Sequence, residues 1–257
     1  MSGKKLWTKK LLWIAESIVK DAGLKPWQNV IRRVEMPRYV LAFEKRGMMK
    51  YLSHLDLLRL FKRAFRSAEV DLLYTEGFNP HPKIAFGQPL SLGYESLEEW
   101  LEIETETEQD SEIFLPRIHQ YLPEGIKIIS VELQEPWKKT IASSCVEAHY
   151  QITFPIGPCE LNCKKLATSF LAQKEILVEK SSKKHREVQI VDIKPMIRFF
   201  ALKTEEEFLL LDTVLDAGSV SNLSPELLIQ GFLRFSQLQI PRHNVKVIRT
   251  KLVFQNN

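Results

Sequence analysis

One pattern constrains the fold of this chain more than any other. From Arg38 onward, stretches that alternate apolar and polar residues take turns with stretches of helical spacing, in an order that occurs twice. Tyr39 to Lys45 has the composition of a strand. Ser53 can cap a helix from about His54 to Ala68, with Asp56 as an acidic first-turn residue. A strand is expected at Lys83 to Phe86, and another from Glu99, where Glu-Trp-Leu-Glu-Ile-Glu-Thr-Glu alternates apolar and acidic side chains. Asp110 or Ser111 opens a second helix that ends near Tyr121, and Ile126 to Leu133 closes the set as a strand. The order β-α-β-β-α-β is the ferredoxin-like arrangement.

After a short polar linker, Pro136 to Ser144, the order returns. Ala148 to Pro155 is a strand, Leu161 to about Lys174 a helix, and Val188 to Leu202 a strand region interrupted at Pro195. Glu207 to Val214 is a strand, and Ser224 to Phe235 a helix with Ser224 as its cap and Pro225 at its first position. Val245 to Phe254 is the closing strand. The halves share no evident sequence identity, so the repeat is one of structure. The expected fold is α+β: two tandem ferredoxin-like domains over residues 37–135 and 145–257.

Residues 1–36 form a basic helical arm and connector. Leu11, Leu12, Ile14, Ala15, Ile18 and Val19 recur at helical spacing between lysines and a terminating Gly23, and Pro26 and Pro37 bracket the connector, Trp27 to Met36. The start is basic, but its apolar residues are broken up and no small-residue cleavage site is present after them, which argues against a secretory signal. No apolar run approaches the roughly 20 residues that cross a bilayer. Three cysteines make no disulfide framework and suit a reducing compartment. The expected setting is therefore cytoplasmic, away from membranes. A net charge of +4 permits nucleic-acid binding without requiring it.

Two neighbouring segments carry the candidate chemistry. On the first helix, Leu57, Leu58, Phe61, Ala64, Phe65 and Ala68 share an apolar face, and Arg59, Lys62, Arg63 and Arg66 gather opposite. Four cations in a row attract a polyanion such as an RNA backbone; the bland alternative is a solvated face. The second segment, Tyr74 to Ser96, holds three prolines (Pro80, Pro82, Pro89) and three glycines (Gly77, Gly87, Gly93). Such a rigid loop fixes its side chains before binding. Tyr74, Phe78 and Phe86 offer rings to an unstacked base, Asn79 a base-edge reader, His81 a donor or acceptor, and Lys83 a phosphate partner. The bland alternative is a structural connection. A further basic run, with Lys183, Lys184 and Arg186, extends the track or is a solvated tip. Glu102, Glu104, Glu106 and Glu108 then mark a non-binding face.

Other chemistries find less support. Cys159 and Cys163 are spaced as Cys-x3-Cys, but a cluster-binding set needs a third cysteine two residues on, and there is none. The six histidines lack zinc-site spacing, so no metal site is expected. His54 and His81 are weak catalytic candidates, the acid and base of a metal-independent endoribonuclease if they share a pocket.

Tyr51-Leu-Ser-His-Leu-Asp-Leu, the Arg-rich helix, then Glu-Gly-Phe-Asn-Pro-His-Pro-Lys and Leu-Gly-Tyr-Glu-Ser together resemble the radical-SAM-linked family of uncharacterised bacterial domains. The resemblance runs from about Arg38 to Phe254. It is dense in the first half and looser in the second, where Arg186-Glu-Val, Asp192-Ile-Lys-Pro and Val247-Ile-Arg-Thr-Lys-Leu carry it. Its signature positions are Ser53, His54, Asp56, Gly77, Phe78, Asn79, Pro80, His81, Pro82, Lys83 and Gly93. The resemblance implies an accessory role beside a radical SAM protein, with any iron-sulfur cluster and SAM held by that partner and no cofactor in this chain. Gene neighbourhoods in the family point toward RNA, and no catalytic residue carries over. The expected function is an RNA-binding specificity module, with no activity of its own, for a radical SAM partner in RNA modification or processing. The alternatives are a protein-docking adaptor and the endoribonuclease.

Overall fold

The computed structural model describes residues 36–135, 139–158, 161–181 and 188–255. The basic arm, apart from Met36, and the run Lys183, Lys184 and Arg186 lie outside the described residues, as does Cys159. In chain order the first half contains β1 (Arg38–Lys45), a 3-10 turn (Gly47–Tyr51), α1 (His54–Ser67), β2 (Ile84–Phe86), β3 (Glu95–Glu104), α2 (Ser111–His119) and β4 (Ile126–Gln134). The second half contains α3 (Ile141–Ser144), β5 (Cys145–Pro155), α4 (Cys163–Leu171), β6 (Leu177–Ser181), β7 (Val188–Asp192), β8 (Ile197–Glu205), β9 (Phe208–Asp216), α5 (Pro225–Ser236) and β10 (Lys246–Phe254).

The architecture is α+β, with one large mixed sheet and few helices. Its strands run in the order β4-β1-β3-β10-β5-β9-β8, and β2 pairs with β3 beside β10. Every pairing in it is antiparallel except β3 with β10, where Ile248 lies opposite Glu95 and Arg249 opposite Ser96. The two halves therefore share a sheet. In the stretch expected as a linker, Pro136 to Ser144, residues 136–138 lie outside the described residues, and Ile141 is buried with its N–H donating to the Glu102 carboxylate at 3.0 Å.

Periodicity accounts for most elements. Along β5, Cys145, Ala148, Tyr150, Ile152 and Phe154 are buried, and the residues between them are half exposed. Ser53 caps α1 by accepting from Asp56 N at 3.2 Å, and its hydroxyl donates to the Asp56 carboxylate at 2.6 Å. Leu57, Leu60, Phe61, Ala64 and Phe65 form the buried face of α1. Leu60 takes the place expected for Leu58: the two flank the arc of Leu57, Phe61 and Ala64 on opposite sides, and the core covers the Leu60 side more fully. The Ala68 and Glu69 carbonyls at the end of α1 accept from Arg117 of α2. At α5 the cap is the one expected, with Ser224 accepting from Glu226 N at 3.3 Å.

The expected interruption at Pro195 is present, while β6 and its pairing with β7 were not expected. The strand region at Val188 to Leu202 is two strands in two sheets: β7 pairs only with β6 in a separate hairpin, and β8 joins the main sheet after a 3-10 turn at Lys194–Met196. The Asp192 carboxylate accepts from Ile176 N and Lys194 N, and this fixes the break.

Two apolar cores result. One gathers α1, α2, β1, β3 and β4 around Phe43, Phe61, Phe65 and Phe114. The other gathers the second half around Phe154, Phe170 and Phe232, and takes in Tyr94 from the first.

Candidate functional site

The segment Tyr74 to Ser96 separates into two parts with opposite fates. Its first part is a protruding hairpin. Tyr74 pairs across to Pro82, Thr75 N donates to the His81 carbonyl at 2.8 Å, His81 N to Thr75 Oγ1 at 3.0 Å, and Lys83 N to the Leu73 carbonyl at 2.7 Å. Gly77, at φ +122°, supplies a backbone conformation that side chains disfavour, and the tip turns there. Phe78 at that tip is fully exposed, Tyr74 half so, and Asn79 and His81 also face solvent.

The second part is structural. Gln88 Nε2 donates to the Ala217 carbonyl at 2.5 Å, and the Gln88 carbonyl accepts from Arg249 at 2.8 Å. Tyr94 is buried in the second core and donates its hydroxyl to Glu226 at 2.6 Å. Gly87 is buried against the Phe254 ring and Trp100. Phe86 offers no free ring: it packs edge-on against Phe43, Phe61 and His54.

Beneath this second part lies a buried charge cluster that sequence reading missed. Arg249 on β10 and Glu99 on β3 form a two-pronged ion pair with side chains 1% and 4% exposed, its Nε–Oε1 bond at 2.7 Å. Lys45, buried beside them, donates to the carbonyls of Leu52 at 3.0 Å and Lys50 at 3.4 Å. Burial pushes Lys45 below the usual lysine range, with Glu99 opposing and Arg249 adding to the effect. The signal in the sequence was an acidic residue, Glu99, in phase with Leu101 and Ile103 on the face that the alternation buries.

Other expected residues have partners of their own. Lys83 is not poised for a phosphate: its amine meets the Glu104 carboxylate at 2.6 Å. Glu102 and Glu104 do not form a free acidic face, because Glu102 is buried against Ile141 N and Glu104 neutralises Lys83. Burial raises the Glu102 carboxyl, and the Ile141 N–H and Arg38 hold it back. Arg59 is joined to Asp56 at 2.9 Å, so the cation stripe of α1 does contain an acid. The Ser53 hydroxyl, then Arg59, holds Asp56 below the usual carboxylate range. Arg63 and Arg66 are exposed and Lys62 half-buried on the same stripe.

His54 stacks edge-on against Phe86 at the start of α1, whereas His81 sits on the hairpin. No hydrogen bond, ion pair or ring contact is seen between the two. Among the described residues no cluster of His, Cys, Asp and Glu could hold a metal. No described helix is long and apolar enough to cross a membrane.

A family model, "Uncharacterized protein conserved in bacteria (DUF2344)", matches residues 38–225. The chain belongs to this family. Its matched region contains α1, the hairpin, and the Lys45–Glu99 side of the buried cluster. Among solved structures, one likeness is to a chain in "Crystal Structure of a Cbf5-Nop10-Gar1 Complex", at 10% identity and a TM-score of 0.45. It covers 89% of this chain and 52% of that one, so this chain spans about half the length of the chain it matches. Another is to an unknown protein from Galdieria sulphuraria, at 11% identity and a TM-score of 0.25, covering 86% of this chain and 100% of that one. Both likenesses are too slight to assign a fold or a function. No curated protein matches the chain.

Proposed function

We propose that this chain is an accessory RNA-binding module that works with a radical SAM partner protein in RNA modification or processing. The observation that carries the reading is the pairing of two exposed features joined by a short run of chain. The outward face of α1 bears Lys62, Arg63 and Arg66 without carboxylate partners among the described ion pairs. The hairpin after α1 presents Phe78 fully exposed among the described residues, flanked by Tyr74, Asn79 and His81. Cations on a rigid helix suit phosphates, and a bare ring on a pinned hairpin suits a base.

Each half would be a ferredoxin-like unit, supported by strand orders β4-β1-β3-β2 and β10-β5-β9-β8, with the β6–β7 hairpin as an insertion. Iron-sulfur and SAM chemistry would belong to the partner. Cys145 is a poor ligand candidate, since burial pushes its thiol up to about 11.

The test is binding of a structured RNA across a salt series. Lys62→Ala/Arg63→Ala/Arg66→Ala is expected to weaken binding and to flatten the log K against log salt slope by about 2, at about 0.7 per lost phosphate contact. Phe78→Ala is expected to weaken binding without changing that slope. Salt-independent binding, or an unchanged slope in the triple variant, would overturn the reading.

A further inference from the structure

We infer that the surface formed by Met48, Tyr51, Leu55 and Leu92 docks an acidic amphipathic helix of the partner protein; this rests on the accessory-module reading and locates its partner contact. These four large apolar side chains are 73%, 59%, 61% and 63% exposed. They come from three segments that the structure draws together. Met48 and Tyr51 lie three residues apart on the 3-10 turn, a spacing at which side chains eclipse. Leu55 stands one residue beyond the Ser53–His54 start of α1. Leu92 is held beside them because Gly93 N donates to the Lys50 carbonyl at 2.9 Å.

The support beneath the patch is rigid. The buried Lys45 amine grips the Lys50 and Leu52 carbonyls, and the chain on either side is closed by Met49 N on the Arg46 carbonyl at 3.1 Å and Leu52 N on the Met49 carbonyl at 2.9 Å. A scattered exposed leucine is ordinary, but a preorganised group containing Met, Tyr and two Leu has the composition of an interface centre. Its exposure is not explained by packing within the described chain.

The charges around it select the occupant. Arg46 and Lys50 share one carboxylate, Glu95, at 3.6 and 3.8 Å, and Arg59 faces Asp56. The rim thus sets three cations against two carboxylates, and the N-terminal end of α1 adds its positive dipole. Further along the same α1 stripe come Lys62, Arg63 and Arg66. A helix with an apolar stripe for the patch and carboxylates at its margins complements both features.

The test uses the full chain and a synthetic 18-residue helical peptide with leucines at helical spacing and glutamates elsewhere. Its controls are the same peptide with lysine for glutamate and a scrambled sequence, all read by fluorescence anisotropy. The glutamate peptide is expected to bind at least about tenfold more tightly than the lysine peptide. Leu55→Glu/Leu92→Glu is expected to lose that binding about tenfold or more; because both side chains are exposed, its melting temperature should stay unchanged. Failure of the glutamate peptide to bind, equal binding of the lysine peptide, or equal binding to the variant overturns the inference. So does loss of RNA binding in the variant with no peptide effect, which would assign the patch to RNA. Retained RNA affinity with lost peptide binding supports docking and leaves the RNA reading to its own salt-series test.

Discussion

The Arg249–Glu99 pair offers the most demanding test of how the two halves are joined. Arg249 donates to both Glu99 oxygens and to the Gln88 carbonyl, so its loss strands a buried carboxylate and a carbonyl together. Breaking a buried pair by removing one partner costs about 3–5 kcal/mol. The structure predicts which single change is worse. In Arg249→Met the Glu99 carboxylate still feels Lys45, so the cost should fall near the lower end, about 3 kcal/mol. In Glu99→Met two buried cations, Arg249 and Lys45, are left facing one another, and the cost should reach about 5 kcal/mol. At about 2–4 °C per kcal/mol for a chain of this size, the melting temperature should fall by about 6–12 °C in the first case and further in the second. The double variant removes both desolvated charges and should fall short of the summed cost by about 3 kcal/mol. Urea unfolding of all four proteins, run as a double-mutant cycle, measures this. Additive costs, or a loss under about 1 kcal/mol in Arg249→Met, would refute the argument that this pair clamps β10 onto β3.

Three further outcomes are expected. Burial lowers the Lys45 pKa, so the folded chain holds fewer protons there than the unfolded chain, and stability should rise with pH from the folded pKa toward the unfolded 10.5. Lys45→Met should flatten that rise in urea titrations taken upward in pH toward 10.5, measured in a Cys145→Ala background. That background matters because Cys145 acts in the opposite direction: raised from 9.0 to about 11, it contributes stability that is present below 9 and lost as pH passes through the folded value. The same thiol should react with a disulfide reagent at pH 8 only as fast as the protein opens, giving a slow phase that Cys145→Ala removes; a uniformly fast reaction would contradict its burial. Gly125→Ala should destabilise by about 1–3 kcal/mol in thermal melts, because its φ is +89° and a Cβ would sit 2.5 Å from the Arg46 carbonyl oxygen; a neutral result would place the turn differently.

Most helices and main-sheet strands, and the caps at Ser53 and Ser224, were legible in the sequence because they depend on spacing within a few residues of one another, whereas β6 and the short α3 were not read. Also legible were the exposed tip residues Phe78, Asn79 and His81, which proline and glycine isolate from the core. The interruption of the Val188 to Leu202 region at Pro195 was legible, but its division between two sheets was not, because periodicity specifies a strand and not its partner. The fate of Tyr74 to Ser96 was likewise half legible. Its composition implied rigidity, but only tertiary contacts divided it into a free hairpin and a strap tied down by Gln88 over Arg249 and by the buried Tyr94.

Charge was the least legible property. Lys83 paired with Glu104, and Arg249 with Glu99, are separated by 21 and 150 residues, and nothing local marks either pair. Sequence alone determined which stretches were strand or helix and where the chain was stiff, since local sterics and side-chain periodicity decide those. Tertiary structure alone decided which cations were paired and that both halves share one sheet. The shared sheet and the Arg249–Glu99 pair depend on the long-range pairing of β3 with β10, which no local pattern specifies.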